Sequence, residues 1–101
     1  ESLNTEKVIK EIGENLLSVF AKADGTVWEQ ETQSENIRMV IEGIKRKEFL
    51  GEHDNISPRY FVYAYCRLLH LQQQRGQTKL SADEAEAFVR THTIPEAEGG
   101  E

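Results

Sequence analysis

The chain has 101 residues, 38% of them apolar and 30% charged, with a formal net charge of −6. That length suits one domain with a core of three or four helices and leaves no room for a separate cofactor domain. No apolar run nears the ~18–20 residues of a membrane span. No basic-then-apolar leader opens the sequence, and the single cysteine, Cys66, excludes an internal disulfide framework. The expectation is a cytoplasmic chain in a reducing compartment with no membrane partner.

Asn4 and Thr5 offer N-caps for a first helix over 5–24. Val8, Ile9, Ile12, Leu16, Leu17, Val19, Phe20 and Ala23 recur at helical spacing and form one apolar face. Gly25 stands where a left-handed C-terminal residue is wanted. A second helix has two candidate starts, because Thr26 with Glu29 and Thr32 with Glu35 both read as capping boxes. The earlier start is preferred, giving a helix over 27–49 with a solvated first half, since it places Trp28 beside Phe20. Ile37, Val40, Ile41 and Ile44 supply its core face. Lys45, Arg46 and Lys47 fall in its last turns, where cations favour the helix dipole. Gly51 stops it.

The third helix is predicted over 58–75. Ser57 is its N-cap, Pro58 its first residue, and Ile56 and Phe61 the two ends of a hydrophobic staple. Gly76 ends it. The fourth is predicted over 82–92, with Ser81 and Glu84 as capping box, and Ile94-Pro95 forbids its continuation. The stretch 95–101 is acidic, lacks apolar anchors and should be disordered. The fold expected is all-α: a compact bundle of four helices in one domain, 1–94, followed by a disordered acidic tail. Phe20, Trp28, Ile41, Phe61, Tyr65, Leu68, Leu69, Phe88 and Val89 are expected to share its core.

The net charge hides a pattern. Residues 1–37 carry eight acids and three bases, and residues 80–101 carry six acids and one base. Residues 38–79 reverse this with eight bases against four acids. Arg38, Lys45, Arg46, Lys47, Arg59, Arg67, Arg75 and Lys79 are therefore candidates for binding backbone phosphates. A helix-turn-helix reading fails, because the fourth helix opens with Asp83, Glu84 and Glu86, which phosphates repel.

Between the first two helices, the stretch from Ala23 to Glu31 resembles the second half of an EF-hand loop. Asp24 falls at its fifth position, Gly25 at its sixth, Val27 at its eighth and Glu31 at its twelfth. Phe20 and Lys22 stand at the first and third positions, where calcium needs oxygen ligands, so no calcium binding is expected. Cys66 and His70 are four apart on one helix and can meet. No third member of a catalytic or metal set is evident, although His53 and Asp54 lie in the preceding loop. The sequence contains no Gly-rich phosphate loop, HExxH, CxxC or GxSxG. The expectation is a non-enzyme without cofactor or metal.

The third helix is the most informative segment. At ~100° per residue, Phe61, Val62, Tyr65, Leu68 and Leu69 share one arc. Tyr60, Tyr63, Arg67, His70, Leu71 and Gln74 share the opposite one. A merely solvated face would carry Glu, Lys and Gln, whereas Tyr and Arg dominate binding surfaces. The function expected is a small non-catalytic interaction module: an adaptor, inhibitor, immunity or assembly factor. It would dock through Tyr60, Tyr63, Arg67, His70 and Leu71 onto a second copy or a different protein. The alternatives are that this face is internal packing, or that the basic central segment binds nucleic acid.

Overall fold

A computed structural model describes residues 6–48 and 57–91 of the chain. They form four helices, α1 (Glu6–Asp24), α2 (Gln30–Glu48), α3 (Pro58–Arg75) and α4 (Ala82–Thr91), with no strand among the described residues. No helix is long and apolar enough to cross a membrane.

Local chemistry sets the ends. α1 closes at Gly25, whose φ of 71° is open to glycine at little cost. The Gly25 N–H donates to Ala21 O at 2.7 Å. α3 opens as its sequence predicts, with Ser57 Oγ accepting from Tyr60 N–H and Pro58 in the first turn. It closes at Gly76, with φ 103° and an N–H bonded to Gln72 O at 2.9 Å. The Ser81 box is reciprocal: Glu84 N–H donates to Ser81 Oγ at 3.1 Å, and Ser81 N–H to Glu84 Oε1 at 2.9 Å. Asn4, Thr5, Gly51, His53, Asp54, Ile56 and His92, the domain boundary at 94 and the tail 95–101 lie outside the described residues.

Neither expected cap starts α2. The helix begins at Gln30, with Gln33 N–H donating to Glu29 O at 2.9 Å. The Thr32 hydroxyl turns back onto Glu29 Oε1 at 2.9 Å. Thr26 is held instead by Gln73 of α3, whose Nε2 donates to its hydroxyl at 2.9 Å. The first half of α2 is not solvated either, since Thr32, Gln33 and Asn36 are buried.

α2 is the central helix. It packs along α4 on one side and against α1 and α3 on the other. Gly43 makes the α2–α4 approach possible, because a Cβ there would sit 3.1 Å from Ala85 O and 3.0 Å from Val89 Cγ2. Gly13 does the same for α1, where a Cβ would meet Ile37 Cδ1 at 2.8 Å and Phe61 Cζ at 3.1 Å.

Ile9, Leu17, Trp28, Ile37, Val40, Ile41, Ile44, Phe61, Tyr65, Leu68, Leu69 and Val89 form one buried cluster. Phe20 and Phe88 pack on its margin, so the core expected from the sequence is the core observed. Val19 and Ala23, placed on the apolar face of α1 by spacing, are exposed instead. Val19 lies about 120° from the centre of the buried arc of Ile9, Gly13 and Leu17, and Ala23 stands in the last turn of α1.

Candidate functional site: the outer face of helix α3

Ser57 and Pro58 fix where α3 starts and hence its phase against the core. Its inner arc of Phe61, Ala64, Tyr65, Leu68, Leu69 and Gln72 is buried. The Phe61 and Tyr65 rings stack there with centroids 5.3 Å apart. Six buried residues on one arc force the opposite arc outward. Arg59, Tyr63, Arg67, His70 and Gln74 are exposed along it. Spanning from 59 to 74 at 1.5 Å per residue, that stripe is about 22 Å long.

Of the five residues singled out by sequence, Tyr63, Arg67 and His70 lie on this exposed stripe, and Leu71 is half-buried at its edge. Tyr60 is half-buried and packs against the margin of the core cluster. The Tyr63 hydroxyl makes no hydrogen bond, and Arg67 no ion pair, among the described residues. His70 is anchored from behind. Its ring meets Phe20 edge-on at 5.2 Å, and Phe20 meets Trp28 edge-on at 6.2 Å. This row of rings ties the stripe to α1 and the α1–α2 turn. Two depressions flank the stripe, both lined by α3 among the described residues. Pro58, Arg59, Val62 and Tyr63 line the first, and Arg67, His70, Leu71 and Gln74 line the second.

Cys66 sits half-buried between the two depressions, and burial pushes its thiol above the usual range. A protonated thiol is a poor nucleophile and a poor metal ligand. No hydrogen bond joins it to His70 among the described residues. Nor do any three His, Cys, Asp or Glu side chains converge there as a metal set. The oxygens of the Asp-Gly corner are engaged as a brace: Gln73 Nε2 donates to Asp24 Oδ2 at 2.8 Å and to the Thr26 hydroxyl.

Three of the basic candidates pair with carboxylates. Arg38 pairs with Glu35 at 2.8 Å, Lys45 with Glu6 at 3.8 Å, and Arg46 with Glu86 at 3.1 Å. Lys79 and Arg38 border one depression together with Lys10, Glu31 and Glu35. The Lys47 side chain lies outside the described residues. Arg59, Arg67 and Arg75 belong to α3, on a helix without any carboxylate.

Sequence reasoning missed the polar lock that holds α3 in register. Gln33 Nε2 donates to Gln72 Oε1 at 2.7 Å, and the buried Tyr65 hydroxyl donates to Gln33 Oε1 at 2.9 Å. Asn36 Nδ2 donates to Thr78 O and accepts at Oδ1 from Leu80 N–H, both at 2.9 Å. Gln72 Nε2 reaches Thr78 O at 2.8 Å. Gln77 closes the end, accepting from Glu29 N–H at 2.8 Å and donating to Val27 O at 2.9 Å. The lock pins the C-terminal end of α3 to α2 and to both flanking turns. A signal existed: Gln33 and Asn36 continue the Ile37, Val40, Ile44 stripe backwards at helical spacing, and Gln72 shares an arc with Leu68 and Leu69.

No protein-family model matches this chain, and no curated protein or solved structure matches it either.

Proposed function

We propose that the chain is a non-catalytic protein–protein interaction module that docks through the outer face of α3. Tyr63, Arg67 and His70 form the centre of the docking face, and Leu71 flanks it. One observation carries the reading. α3 buries a full inner arc, yet on its outer arc it presents aromatic, guanidinium and imidazole groups, with no hydrogen bond for the Tyr63 hydroxyl and no ion pair for Arg67 among the described residues. Tyr and Arg offer large contact area with directional polar ends and stay soluble when uncovered. The rigid backing from the ring row and the polar lock supports this, since a preorganised face spends less on ordering when it binds. The neutral thiol of Cys66 favours binding over catalysis. The pairing of Arg38, Lys45 and Arg46 with carboxylates favours a protein partner over a phosphate backbone.

The test is site-specific photocross-linking in cells of the native host. A photoreactive phenylalanine analogue replaces Tyr63 in one variant and the exposed Val19 of α1 in another. Adducts to one protein from position 63 and not from position 19 support the proposal. Adducts to nucleic acid, or the same adducts from both positions, refute it.

A further inference from the structure

We infer that the occupant of the α3 face is an acidic amphipathic helix of a different protein, a proposal that rests on the docking role of that face. Charge is the first ground. The chain holds eighteen acids, yet none falls within Pro58–Arg75, where Arg59, Arg67 and Arg75 stand with His70. Four bases elsewhere, Arg38, Lys45, Arg46 and Arg90, meet carboxylates of the same chain. Arg67 and Arg75 meet none among the described residues. A partner that brings carboxylates supplies what this helix lacks.

Spacing is the second ground. The two depressions are centred about ten residues apart on α3, or ~15 Å at 1.5 Å per residue. A partner helix laid along the stripe presents same-face side chains eleven positions apart at about that distance. Its apolar anchors then seat beside Val62 and Tyr63 and beside His70 and Leu71, with carboxylates between and beyond them for Arg67 and Arg75. A second copy fits poorly. A two-fold pairing of α3 with itself sets Arg67 against its own mate, and the helix has no carboxylate to relieve it. A nucleic-acid strand fits less well too. The face carries arginines without a single lysine, and the depression lined by Pro58, Arg59, Val62 and Tyr63 has apolar walls.

The experiment is a selection on the native chain from a displayed library of four-turn helices, randomised over one face. Enriched peptides are then titrated against the native chain, Tyr63→Ala, Arg67→Glu and the milder Arg67→Gln. The expected winners carry Asp or Glu between apolar residues eleven apart. Their binding falls at least tenfold in Arg67→Glu, less in Arg67→Gln, and again between low and high salt. Winners that Tyr63→Ala weakens but that lack acids, or that ignore Arg67→Glu, overturn this inference and leave the docking role standing. Winners indifferent to Tyr63→Ala overturn both, as does a selection without winners. Equal binding of a single-stranded oligothymidylate overturns it in favour of nucleic acid, and a dimer by light scattering in favour of a second copy.

Discussion

Tyr65 stacks on Phe61 inside the core and gives its hydroxyl proton to Gln33 Oε1 at 2.9 Å. Burial pushes its phenol well above the ordinary range. The folded state therefore keeps the proton where the unfolded chain, with a pKa near 10, releases it. The resulting stability is whole below pH ~10 and drains as pH rises beyond it, at up to about 1.4 kcal/mol per pH unit. Cys66, also raised by burial, adds a smaller loss from about pH 9 upward. Urea melts of the parent and Tyr65→Phe at pH 7 and pH 11 separate the two. At pH 7 the variant loses about 1–2 kcal/mol with the hydrogen bond, and by pH 11 that gap narrows or reverses. A gap that stays constant with pH means the hydroxyl is not buried. This lock was hard to foresee because glutamine and asparagine mid-helix usually point to water. Only the geometry of both turns shows that Gln33, Asn36, Gln72 and Gln77 satisfy one another.

The helices that announce themselves in the sequence are those whose ends are local. Ser57-Pro58 and Ser81 with Glu84 act within one turn of their own helix, so α3 and α4 start where spacing and caps place them. α2 starts at neither Thr26 nor Thr32, because Gln73 and Gln77 of distant sequence claim the Thr26 hydroxyl and the turn backbone. Long-range bonds of that kind leave no local signature. The α2–α4 contact was equally silent, since Gly43 reads as a weak point in a helix rather than as a seat. Gly43→Ala gains up to about 1 kcal/mol in helix propensity. It must also push the Ala85 carbonyl and Val89 away from 3.1 Å and 3.0 Å, an overpacking cost of about 1–3 kcal/mol. The expected outcome is net destabilisation in a urea melt. A stabilised variant means that α4 shifts freely on α2.

At the scale of the molecule, α3 divides the work between its two sides. Phe61→Ala or Leu68→Ala on the inner arc should cost about 2–5 kcal/mol of unfolding free energy by denaturant melt, a large share for so short a chain. The outer arc should tolerate truncation, because Tyr63 and Arg67 are exposed and lie outside the core cluster. Both arcs were legible from the ~100° step of the helix. What the arcs alone left open was whether another element covers the outer one. The packing of α4 along α2, away from the Tyr63 side of α3, leaves it exposed. The decisive measurement is a binding titration of Tyr63→Ala/Arg67→Ala against the protein captured at position 63, using variant whose urea midpoint matches the parent. Two central hot-spot side chains at about 2 kcal/mol each predict a Kd raised by a factor of the order of 10² to 10³. A Kd within twofold of the parent contradicts a docking role for this face.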